Sequence, residues 1–167
     1  MANYRNGCIR LIGGRASGKT TYLATLIYCP HRRQIKIKMP GFSIDYEPGS
    51  EAERLANMAE DILIKGAKFA GTLKLDVNHI PYYEFQVQIP AVNQLPSTTV
   101  DFSVRDFAGE IFHDMALEHK YNEIQPYLND LFVADKWMVM ITDWEYEQDK
   151  KLYKRAFEKL HREKKER

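Results

Sequence analysis

The sequence predicts an α/β fold in three layers, with a mostly parallel sheet and one antiparallel hairpin between helices. Three observations lead there. Segments with apolar residues at alternate positions are interspersed with segments whose apolar residues recur every three or four. A glycine-containing turn, Gly13 to Gly18, joins the first strand directly to the first helix. A continuous apolar run, Trp137 to Ile141, has the character of a central strand covered on both faces. At 167 residues the chain has the size of a single domain with a substantial core, and its order of elements is that of a sheet layered by helices.

The first strand is Cys8–Ile12. The helix after the turn runs from about Gly18 to Tyr28, with Tyr22, Leu23, Leu26 and Ile27 in register, and Pro30 stops it. Gln34 to Lys38 alternates Ile35 and Ile37 with polar residues, which predicts a half-exposed strand broken by Met39–Pro40–Gly41. After a second break at Glu47–Pro48–Gly49, Ser50 and Glu53 form a capping box. The helix it opens carries Leu55, Met58, Ala59, Ile62 and Leu63 on one face and ends at Gly66. Gly71 to Pro81 reads as a connector. Tyr82–Ile89 and Thr98–Val104 both alternate, and the loop Pro90–Ser97 makes them an antiparallel hairpin. A helical region from Ile111 to Val133 is expected to be interrupted near Pro126. The final helix, Glu147 to about Glu163, has Leu152, Ala156 and Leu160 in register, and the charged tail from His161 reads as a frayed or truncated end.

Composition narrows the function classes. A formal net charge of +1 gives no argument for nucleic acid or an anionic membrane as partner. No apolar run is long enough to span a bilayer. The first residues lack the apolar stretch of a signal peptide, so a cytoplasmic protein is expected, with Cys8 and Cys29 as reduced, core-packing thiols.

Gly13–Gly14–Arg15–Ala16–Ser17–Gly18–Lys19–Thr20 matches G-x-x-x-x-G-K-[ST] at every defined position. The glycines let the backbone turn without a Cβ clash and aim its N–H groups inward. Those donors and the helix N-terminus form a concave site for phosphate oxygens. Lys19 is placed to reach the β- and γ-phosphates, Thr20 to ligate Mg2+, and Thr21 to follow as a further nucleotide contact. A strand directly before this motif and an amphipathic helix directly after it give the context the motif requires.

A second element lies at Asp106–Phe107–Ala108–Gly109, at the end of an apolar strand. Asp106 is placed to hold the Mg2+ through water, and the Gly109 N–H to approach a γ-phosphate. Loss of that phosphate would release the following segment. Together the two motifs resemble the translation-factor class of P-loop GTPases. Leu11 to Ala24 with Arg105 to Glu110 is similar to the bacterial double-GTPase group. The resemblance implies GTP as ligand, Mg2+ as cofactor and a switch I threonine. Thr72 is the best match for that threonine and is otherwise an ordinary loop residue.

The chain departs from that pattern in three places. No N/T-K-x-D motif for guanine follows Asp143, which implies an incomplete GTPase-like domain, a lost base preference, or strands supplied by another chain. ATP hydrolysis or small-molecule phosphorylation is therefore carried as an alternative, as is an interaction module that no longer uses nucleotide. Arg15 stands where most relatives have a small residue, and points either to the γ-phosphate as an internal arginine finger or to solvent. Glu110 stands where many relatives place a water-orienting Gln or His. Its charge would repel phosphate unless Arg15 or Arg105 offsets it, so slow hydrolysis is expected. His113 and His119 lack a visible third ligand and read as surface or partly buried histidines.

Overall fold

A computed structural model describes residues 3–66, 76–93, 95–117, 120–141 and 147–166. Five strands form one sheet: β1 (Asn3–Gly13), β2 (Ser43–Asp45), β3 (Tyr82–Ile89), β4 (Thr98–Asp106) and β5 (Lys136–Met140), in the spatial order β2-β3-β4-β1-β5. β3 runs antiparallel to both β2 and β4, and the rest of the sheet is parallel, as expected of an α/β fold. The hairpin pairs Tyr82 with Arg105 and Ile89 with Thr98. The helices are α1 (Lys19–Tyr28), α2 (Arg33–Lys38), α3 (Glu51–Lys65), α4 (Gly109–Met115), α5 (Tyr121–Val133) and α6 (Glu147–Lys165).

The described residues fall into two compact units, one within 1–9, 20–70 and 81–105, the other within 10–19, 71–80 and 106–167. In the first, α3 packs on β3, and the buried residues include Leu23 and Ile27 of α1, Leu55 and Ala59 of α3, and Phe85, Val87 and Val104 of the hairpin. Ser50 Oγ accepts the Glu53 N–H at 3.3 Å, while Glu53 Oε2 accepts the Gly49 N–H at 2.7 Å. The α3 cap is therefore reciprocal but shifted by one residue on the return leg. Gly66 ends α3 at φ 68°. In the second unit, Ile12, Phe107, Ile111, Phe112, Ile124, Leu128, Leu131, Ala156 and Leu160 form one apolar cluster. Each large side chain in it contributes about 1.5–3 kcal/mol by leaving water.

Several local expectations are corrected. Gln34–Lys38 is part of the helix α2, and the edge position beside β3 is taken by β2 instead. Without a neighbouring strand, Ile37 is 69% exposed. In α3 the inward face is Ala52, Leu55, Ala56 and Ala59, while Met58 and Leu63 are exposed, because small residues allow α3 to lie close on β3. Tyr22 is likewise exposed. The Ile111–Val133 region does break into two helices, but between Met115 and Tyr121. Pro126 sits inside α5 on its exposed side, where the carbonyl it leaves unbonded can take water. β5 is an outer strand of the described sheet and only partly buried, not the central strand covered on both faces that the apolar run predicts. There Trp137 packs edge-on to Phe132 and donates Nε1–H to the Leu131 carbonyl at 2.9 Å. The last helix continues to Lys165, with Leu160 and Glu163 buried, rather than fraying from His161.

Candidate nucleotide-binding site

β1 delivers the chain into the glycine-containing loop, and every residue from Gly13 to Lys19 lies in the second unit. The ladder beside it continues past β4, where the Phe107 N–H donates to the Leu11 carbonyl at 3.1 Å. That bond brings the fully buried Asp106 alongside the root of the loop. A Cβ at Gly13 would collide with the Met140 carbonyl of β5, so only glycine fits there. Gly18 has open space around it but a φ of 77°, so conformation rather than crowding selects glycine at that point. Ala16 adopts φ 57° without being glycine, a locally strained turn residue inside the loop.

Lys19 is 6% exposed. Its Nζ donates to the Gly13 carbonyl at 3.2 Å, the Gly14 carbonyl at 3.0 Å and Ser17 Oγ at 3.3 Å. Burial pushes its pKa below the ordinary lysine value, while the negative charges of Asp106 and Glu110 pull it back up. The ammonium is thus held over the loop with two carboxylates in its field. Thr20 and Thr21 follow in the first turn of α1, Thr20 half-buried and Thr21 exposed.

Gly109 begins α4 and lies directly on the loop: a Cβ there would collide with the Arg15 backbone and the Gly14 carbonyl carbon. The two sequence motifs are therefore in backbone contact. Glu110 and Arg15 meet across this junction, with Nε and Oε1 at 3.5 Å, the arginine side chain 85% exposed. The Arg105 guanidinium lies over the Tyr82 ring, 5.6 Å from the centroid. A cavity of about 380 Å3 opens among Gly14, Arg15, Gly109, Glu110 and Tyr153. His113 at its rim is 57% exposed. Thr72, Asp143 and His119 lie outside the described residues.

Tyr153 of α6 was not singled out by its sequence. Its hydroxyl accepts the Gly14 N–H at 3.4 Å, and its ring rests on Phe112 with centroids 5.1 Å apart. A signal was present: Tyr153, Ala156 and Leu160 form the buried stripe of α6, with Leu152 beside it and only partly buried. As to metal, the buried Asp106 carboxylate is a hard oxygen donor of the kind that suits Mg2+. Among the described residues no cluster of three or more His, Cys, Asp or Glu is placed to hold a metal. Mg2+ does not require one, since it keeps several waters.

The strand, loop and helix of the first motif, with Gly109 seated on it, define a P-loop protein of the GTPase-like kind. The family model for Double-GTPase 1 matches residues 10–167, and the chain belongs to that family. Searches of curated proteins and of solved structures returned no significant match. No helix among the described residues is long and apolar enough to cross a membrane.

Proposed function

We propose that the chain binds a Mg2+-nucleoside triphosphate, GTP in keeping with its family, hydrolyses it slowly, and works as a nucleotide-controlled switch on a protein partner. The observation that carries this reading is the buried Lys19 ammonium held on the Gly13 and Gly14 carbonyls beside a loop that Gly109 touches through its backbone. In this reading the loop amides and Lys19 take the phosphate oxygens, and Thr20 and Asp106 hold the metal side, with Thr72 as a further ligand. Bound Mg2+ would supply charge neutralisation of the β- and γ-phosphates. Glu110 orients the attacking water, and Arg15 offsets its charge so that a carboxylate is tolerated beside phosphate. That neutralised pair is a weaker device than a neutral glutamine with a committed arginine, hence the slow turnover. A γ-phosphate would have to share the space at Gly109 with Arg15, so its arrival or loss shifts α4, whose outer surface then informs the partner.

The test is a titration of labelled GTP and ATP against wild type and Lys19→Ala, with and without Mg2+, followed by steady-state turnover. GTP is expected to bind more tightly than ATP, Lys19→Ala to weaken binding at least about a hundredfold, the loss of one buried charge-assisted contact set, and turnover to stay far below one per second. Preference for ATP would shift the reading to an ATPase or kinase. No binding by wild type would leave an interaction module, and turnover of many per second without a partner would remove the slow-switch claim.

A further inference from the structure

The phosphate loop is held from outside as well as from within, and the outer hold comes from α6. We propose that Tyr153 is a positioning residue for Lys19, acting through the Gly13–Gly14 peptide plane; the role rests on reading the loop as a phosphate site. A trans peptide points its C=O and N–H in opposite directions. Between Gly13 and Gly14, the carbonyl faces Lys19 Nζ at 3.2 Å and the N–H faces Tyr153 Oη at 3.4 Å. Rotation of that plane would break both contacts together, so the hydroxyl fixes the direction in which the Gly13 carbonyl meets the ammonium. Crowding reinforces the arrangement. A Cβ at Gly14 would sit 2.9 Å from Tyr153 Oη, so the hydroxyl lies tight against the loop backbone.

Tyr153 is itself fixed. It is 2% exposed, and its ring leans on Phe112, three residues beyond the Gly109 that touches Arg15. One side chain therefore contacts both motif-bearing segments, the loop through its hydroxyl and α4 through its ring. A shift of α4 moves the ring, and through the ring the plane that presents a carbonyl to Lys19. α6 thereby becomes part of the switch rather than a passive cover.

Tyr153→Phe keeps the ring on Phe112 and deletes the acceptor. Affinity for a fluorescent GTP analogue with Mg2+, thermal midpoint, and amide exchange of Gly14 by NMR are measured in wild type, Tyr153→Phe and Leu160→Ala. Leu160 lies two turns further along α6, in its buried stripe. Tyr153→Phe is expected to bind about fivefold more weakly, the worth of one hydrogen bond, with a near-wild-type midpoint and faster Gly14 exchange. Leu160→Ala is expected to lower the midpoint and leave affinity unchanged. Wild-type affinity in Tyr153→Phe, or an equal loss in both variants, overturns the positioning role. Failure of wild type to bind the analogue overturns the phosphate-site reading instead, and Gly14 exchange, which needs no nucleotide, then decides whether the peptide contact exists.

Discussion

In the proposed reading, Lys19 sets stability against function. An ammonium at 6% exposure is costly to desolvate, and its three hydrogen-bond partners are neutral oxygens. Lys19→Met keeps the apolar stem and removes the charge. Lys19→Met is therefore expected to raise the stability of the nucleotide-free protein by about 1 kcal/mol at neutral pH while destroying binding. The pH dependence follows from the lowered pKa. Between the folded value and the ordinary 10.5, the unfolded chain binds more protons than the folded one, so wild-type stability rises with pH in that window. The advantage of Lys19→Met should accordingly shrink as pH climbs toward 10.5. Urea midpoints of both proteins at pH 7 and pH 10 check it, and a constant difference would mean that the ammonium is not the source.

Elements succeed or fail here by their ends. α3 begins where Ser50 and Glu53 exchange hydrogen bonds with the backbone and ends where Gly66 takes a left-handed conformation. Both ends were legible, because caps depend on residues within one turn. Ser50→Ala is expected to cost about 1 kcal/mol, read as a lower denaturation midpoint with an unchanged slope. α2 was not legible. Five residues with isoleucines two apart satisfy a strand pattern as well as a short helix, and only the presence or absence of a partner strand decides between them. Pro126 gave the opposite error. A proline signals a break, yet on the exposed side of α5 the lost bond is replaced by water and the helix continues.

At the scale of the whole molecule, contacts distant in sequence hold the site in place. Arg10 of β1 meets Asp130 of α5 with Nε–Oδ2 at 2.8 Å and Nη2–Oδ1 at 3.3 Å, a forked pair largely out of water. It ties the strand that leads into the glycine-containing loop to α5, a helix of the second core. Arg10→Ala is expected to cost about 3 kcal/mol, because it removes a two-point charge-assisted contact that is largely out of water. Arg10→Met with Asp130→Leu should recover most of that loss, as thermal midpoints would show. Recovery in the double variant separates the cost of removing one partner from the worth of the pair.

By itself the sequence determined the α/β class, the hairpin and its register-setting loop, the glycine-containing turn that leads into Lys19, and the strand end at Asp106–Gly109. Each of these is encoded within a few residues, by alternation, by caps, or by a spacing the backbone must satisfy. Tertiary structure alone decided that Gly109 rests on Arg15, that Arg15 meets Glu110, that β5 is an outer strand of the described sheet, and that Tyr153 reaches Gly14. Those facts join residues tens to more than a hundred positions apart. Local propensity carries no information about such pairs, because their geometry is set by how sheet and helices pack, not by any one segment.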